Sequence, residues 1–244
     1  MDSGYYAAFT GLLAKTEALE LAANNLANVS TTGYKAQREF YRSFTASLSG
    51  RGLSPLNQAV NNYGVLGGST VDLRTGTLER TGNDYDLALE GAGFFVIQTA
   101  GGVRYTRNGG FSIGARGRLV TATGDPVLSE QGPIEVPSGP VSISPDGTLS
   151  QKGAVIARLR LVDFAPGTAL VAEGNSIYAA PPGSERPALE RRVRQGMLEA
   201  SNLNAVAGAV SLVALQRHTE LLQRALSIFH TEFNRTAAEE LPRV

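Results

Sequence analysis

Leu212-Val213-Ala214-Leu215-Gln216-Arg217-His218-Thr219-Glu220-Leu221-Leu222-Gln223-Arg224-Ala225-Leu226-Ser227-Ile228-Phe229 carries the pattern on which the fold turns. Leu212, Leu215, Thr219, Leu222, Leu226, Phe229 and, beyond them, Phe233 step by alternating three and four residues. That spacing lays them along one face of an α-helix as a coiled-coil-like stripe. It predicts a long helix over residues 203–235, with Asn202 or Asn204 as its cap and a frayed tail after it.

A matching stripe stands at the other end of the chain. Phe9, Leu12, Thr16, Leu19, Ala23 and Leu26 step the same way, and Leu13 and Leu21 widen the apolar face. This predicts a helix over residues 5–28, with Gly33 as its stop. At ~1.5 Å per residue the two helices span ~36 and ~48 Å.

Residues 81–195 read as all-β. Tyr85, Leu87 and Leu89 alternate with small or polar residues, and Phe94-Phe95-Val96-Ile97 is a short buried-strand run. Ala157, Leu159 and Leu161 alternate with Arg158 and Arg160. Val141 and Ile143 alternate before Ser144-Pro145-Asp146-Gly147, a tight-turn sequence. Asn108-Gly109 and Gly124-Asp125-Pro126 are further turns. The expected fold is α+β: amphipathic N- and C-terminal helices flanking a central all-β domain, a sandwich or open barrel. The expected divisions are a helix segment 1–33, a linker or extended segment 34–80 with a Gly/Ser/Pro-rich part at Ser47–Pro55, a β domain 81–195 and a C-terminal helix segment 196–244.

Composition narrows the function. The 244 residues hold 22 Lys+Arg and 22 Asp+Glu, so the formal net charge is zero. A nucleic-acid binder usually carries a basic surplus. There is no Cys, which removes disulfides, thiolate metal sites and a Cys nucleophile. His218 and His230, the two histidines, are too far apart on one helix to share a metal. No apolar run reaches the ~18–20 residues of a membrane helix. No Lys or Arg precedes Lys15, so the basic start of a secretory signal is absent. The expectation is a chain without catalytic residues, cofactor or metal, which binds no nucleic acid and inserts in no membrane.

Individual candidates for chemistry are weak. Gly91-Ala92-Gly93-Phe94-Phe95 has two glycines of a dinucleotide fingerprint but not the third, and reads as a turn before a strand. Asp84 and Asp86 sit on one strand face without the glycine or distal Glu of a calcium loop. His218 beside Glu220 has no nucleophile-elbow Ser and reads as a polar helix face. Arg191, Arg192 and Arg194 read as a solvated loop. Asn24-Asn25-Leu26-Ala27-Asn28 is odd in a helix, since three Asn in five residues cost ~1–2 kcal/mol relative to Ala. Either the amides are buried between helices, or this is a fraying last turn.

Ala23-Asn24-Asn25-Leu26-Ala27-Asn28-Val29-Ser30-Thr31-Thr32-Gly33-Tyr34-Lys35 resembles the N-terminal signature of the flagellar rod and hook axial proteins. Glu90-Gly91-Ala92-Gly93-Phe94-Phe95-Val96-Ile97 resembles a strand of that family, and Tyr105-Thr106-Arg107-Asn108-Gly109-Gly110-Phe111 with Gly117-Arg118-Leu119-Val120-Thr121 its central hairpin. Gln195-Gly196-Met197-Leu198-Glu199-Ala200-Ser201-Asn202-Leu203-Asn204 and Gln216-Arg217 resemble its C-terminal helix region. The resemblance implies a structural subunit of the basal-body rod, in its proximal part, with the distal rod as alternative. A secreted β-rich binding module is the alternative of a different class. The resemblance further implies paired terminal helices assembling with copies of the chain and with other rod proteins into a helical tube. It implies delivery by the flagellar type III export apparatus without a cleaved signal. Phe9, Leu12, Leu19, Asn24, Asn25, Leu26, Asn28, Ser201, Asn202, Asn204, Leu212, Leu215, Leu222, Leu226 and Phe229 are the expected interface residues.

Overall fold

A computed structural model describes residues 2–42, 65–188 and 191–240. The Ser47–Pro55 linker lies outside the described residues, as do the side chain of Phe233 and residues 241–244. Helix α1 spans Asp2–Ala27 and α2 spans Ala205–Glu240, so α2 continues into the stretch expected to fray. Asn204 rather than Asn202 caps α2: its Oδ1 accepts the Ala207 N–H at 2.9 Å. No described helix is long and apolar enough to cross a membrane.

The chain between the helices is a succession of short strands. The first three are β1 (Gln37–Arg42), β2 (Val65–Val71) and β3 (Leu78–Arg80). Then come β4 (Leu87–Gly91), β5 (Phe94–Thr99), β6 (Gly102–Thr106), β7 (Ser112–Ile113), β8 (Leu119–Val120), β9 (Leu128–Ser129) and β10 (Gly132–Pro133). After these come β11 (Ser142–Ile143), β12 (Thr148–Gln151), β13 (Ala154–Arg158), β14 (Leu161–Phe164), β15 (Val171–Gly174) and β16 (Ile177–Ala179). The last three are β17 (Glu185–Pro187), β18 (Arg191–Gln195) and β19 (Met197–Glu199).

Six strands form one antiparallel sheet in the order β15-β16-β6-β5-β14-β17. Its two faces explain the run Phe94–Ile97. Phe94 and Val96 point to one core with Tyr105, Val162, Phe164 and Tyr178, where edge-to-face ring pairs form. Phe95 and Ile97 point to the other, with Leu87, Leu89, Leu119, Leu149 and Leu159. A sheet buried on both faces needs a continuous apolar strand at its centre.

Three readings are corrected. Tyr85, Leu87 and Leu89 do not alternate with outward-facing residues throughout: Leu87, Ala88 and Leu89 are all buried, Leu87 and Leu89 in the core, on a strand paired along one edge with β18. Arg191, Arg192 and Arg194 are not on a loop but on β18, with Val193 buried between them and Arg194 paired with Glu90 at 2.8 Å. Tyr34, Lys35 and Ala36, in the piece expected to be short and helical or extended, are buried, and strand β1 follows them. Gly33 is not the helix stop: α1 ends at Ala27, and the chain then turns through Thr31 N–H to Asn28 O at 3.0 Å. The turn at Ser144–Gly147 is present, closed by Gly147 N–H to Ser144 O at 2.9 Å.

The chain divides into two compact units. One holds both helices; the other, the β unit, is built from Ala27–Gln37 and Thr70–Leu203.

Candidate assembly interface

The two helices differ in which of their faces is buried. On α1 the buried residues are Ala14, Ala18 and Asn25, with Gly11 half-buried. At ~100° per residue these share one face. It is a seam of small side chains, over which a neighbouring element can come close. The expected stripe lies off that seam. Phe9 is 50% exposed, and Leu12, Leu19 and Leu26 are half-buried.

The Asn-rich end of α1 divides between its two readings. Asn25 is buried, whereas Asn24 is exposed. Asn28 lies past the helix and accepts the Thr31 hydroxyl at 3.2 Å. Amides near a helix end are most useful where each can both donate and accept.

On α2 the expected stripe is the covered face. Thr219 is buried, and Leu212, Leu215, Leu222 and Leu226 are half-buried. Phe229, predicted as part of the same stripe, is 50% exposed. The sequence reading missed a second apolar face. Val206, Val210, Val213, Leu221 and Ile228 are exposed. At ~100° per residue they fall roughly opposite Leu215, Thr219 and Leu226. Its signal was present in the sequence, but Arg217 and Arg224 interrupt it. His218, Glu220 and His230 are exposed, as expected of a polar face.

The roots of the two helices meet inside the β unit. Gly33 N–H donates to Glu199 O at 2.7 Å, and Ala36 N–H to Asn202 Oδ1 at 2.8 Å. The Asn202 amide in turn donates to Asp72 O and Arg74 O. Asn202 thus stitches three segments together instead of capping α2. Ser201 does a smaller job, accepting Leu203 N–H at 3.3 Å on its hydroxyl.

Around these bonds sits a buried ion cluster that sequence reasoning did not single out. Lys35 Nζ lies 2.6 Å from Glu199 Oε1, and Arg107 Nη1 lies 3.3 Å from Glu199 Oε2. Lys35 also donates to Arg74 O, and Arg107 to Leu89 O and Gly91 O. Glu199 Oε2 receives charge from Arg107 without a well-aligned hydrogen bond. Burial pulls the pKa of Lys35 and of Arg107 down, and Glu199 opposes it at both. Glycines let the backbones close in. A Cβ on Gly33 would lie 2.3 Å from Asn108 N, one on Gly76 2.0 Å from Ala200 O, and one on Gly109 1.6 Å from Leu87 O.

The signal for this cluster was available. Lys35, Arg107 and Glu199 each belong to one of the quoted motif segments, and the fold brings those segments to one place. Asp84 and Asp86 form no shared site: Asp84 is exposed, while Asp86 is buried and accepts the Asn83 amide at 3.0 Å.

Comparison with known proteins follows the same segments. Residues 6–35 match the family model described as flagella basal body rod protein, and residues 88–154 match the D1 domain of flagellar hook protein FlgE/F/G. The chain is 32% identical over its whole length to all of the flagellar basal-body rod protein FlgF of Caulobacter vibrioides. It is 32% identical to the FlgF of Escherichia coli, with 93% of this chain and 94% of that one covered. It is also 32% identical to the flagellar basal-body rod protein FlgG of Agrobacterium fabrum, over 90% and 92% of the two chains.

Proposed function

We propose, of a chain that belongs to the flagellar basal-body rod proteins, that it is a structural subunit of the bacterial flagellar rod, placed in its proximal part. It helps build the shaft that carries torque to the hook. Full-length similarity to FlgF supports the proximal position.

The observation that carries the mechanism is the two-faced α2. One face, Leu212 to Leu226, is partly covered within the subunit, and the opposite face offers Val206, Val210, Val213, Leu221 and Ile228 to a neighbour. Phe9, Leu13 and Phe229 add exposed apolar surface. Contacts of this kind between copies related by a rotation that does not close generate a helical array. The partners are copies of this chain and other rod proteins. Passage through the flagellar type III apparatus, without signal cleavage, completes the reading.

Quantitative mass spectrometry of isolated hook-basal bodies tests it. The expected result is this chain at low abundance, in proportion to the proximal rod components. Abundance tracking the distal rod would overturn the proximal position, and absence from a well-populated preparation would overturn the rod function.

A further inference from the structure

Three charged side chains are sealed together inside the β unit, and the helical contacts above use none of them. Lys35 comes from the loop after α1, Arg107 from the turn after β6 and Glu199 from the end of β19. Their side chains are 1%, 1% and 0% exposed. Among the described residues Glu199 is the only carboxylate within ion-pair distance of either cation. Two buried cations therefore share one directly paired anion, the last of the three along the chain, with Asp72 and Asp163 adding attraction from further off.

We infer that Glu199 is a latch that closes late in folding and, in closing, fixes the roots of both terminal helices to one point of the β unit.

Charge burial and chain entropy both put the closure late. A cation sealed from water without its counter-charge is strongly disfavoured, so a route that buries Lys35 or Arg107 first runs uphill. The Lys35–Glu199 contact also spans 164 residues, while the β5–β6 and β12–β13 hairpins close over a few. Long closures cost more entropy and trail local ones. The hairpin core therefore forms first and the ion cluster seals it.

What the latch holds follows from its neighbours. Glu199 Oε1 accepts the Gly76 N–H at 2.7 Å as well as the Lys35 ammonium. Its backbone oxygen accepts the Gly33 N–H, and Asn202, on the same strand exit, accepts the Ala36 N–H. Lys35, between these two anchored amides, cannot leave its seat without separating its ammonium from Glu199.

Folding and unfolding rates of the full-length monomer test this, with Glu199→Gln and Glu199→Asp beside the parent chain. The expected result for Glu199→Gln is a folding rate within about 2-fold of the parent and unfolding at least ~100-fold faster. Glu199→Asp, which keeps the charge on a shorter arm, shifts the same way by less and carries the test if the Gln variant does not fold. In both, the amides of Gly33 and Ala36 lose exchange protection. A folding rate that drops in step with stability would overturn the inference, because the carboxylate would then be engaged early. Unchanged rates would overturn it too. The measurement uses monomers, so its failure leaves the rod reading intact.

Discussion

Tyr178 accepts the backbone N–H of Lys35 on its phenol oxygen at 3.1 Å, so the loop after α1 is seated on strand β16. Burial holds the Tyr178 phenol above its ordinary pKa of 10.0. Tyr34 is raised by burial, and Tyr105 by burial and then by its bond to Glu185. Above pH 10.0 the unfolded chain releases these protons while the folded protein keeps them, so stability falls as pH rises. Lys35 works the other way: its lowered pKa means stability gains from that group as pH climbs toward 10.5. Three phenols outweigh one ammonium above pH 10. The expected outcome is a denaturant midpoint that drops once pH passes that value. Tyr178→Phe should flatten the drop while costing ~1–3 kcal/mol at neutral pH, from the stranded Lys35 amide. A midpoint flat across the alkaline range would contradict the assignment.

Glycine substitutions separate crowding from backbone strain. Gly109 does not sit at positive φ, yet a Cβ there would collide with Leu87 O. Gly82 has φ +78° and nothing within 4 Å of its Cβ position. Gly82→Ala should cost ~1 kcal/mol, whereas Gly109→Ala should cost ~3 kcal/mol or more or prevent folding. Thermal melts of the two variants decide it; equal losses would refute the contact.

On α1, Ala18 is 2% exposed on the small-residue seam. Ala18→Leu should destabilise the helical unit by ~1–3 kcal/mol through overpacking. Leu19→Ala, on the half-buried flank, should cost less. Amide exchange along α1 is the readout, and the reverse order would show that the larger stripe is the packed one.

On α2, Ile228 and Leu222 lie on different faces. Ile228→Asp should leave monomer stability within about 0.5 kcal/mol and abolish self-association. Leu222→Asp should lower both. Sedimentation with thermal melts distinguishes the two, and normal assembly of Ile228→Asp would remove the outer face from the interface.

The parts of the fold readable from sequence are those whose signal is local. Leu212 to Leu226 share a face because the period is that of a helix, and Phe94–Ile97 is buried because no polar residue interrupts it. The turn at Ser144–Gly147 follows from its residue types. Burial of Ala14 and Ala18 was not readable, because small side chains weigh little in an apolar periodicity and Phe9 and Leu12 draw the eye instead. The burial of Ala88 between Leu87 and Leu89 belongs to a strand whose pairing partner, β18, lies about a hundred residues away along the chain. The ion cluster had a signal only in the motif segments, and its pairing depends on contacts equally distant along the chain. Lys35, Arg107 and Glu199 look like ordinary surface charges until the fold joins them, although each stands in a motif segment.

Where Gly33, Gly76 and Gly109 meet their neighbours, main chain rests on main chain with no side chain between. Side-chain torsions are the softest springs in a protein interior, and at these three places none lies in series with the load. The part of the β unit that gathers the segments after α1 and before α2 therefore has little compliance of its own. In a rotating shaft, this patch would deform less under load than a region of the β unit where side chains separate the backbones.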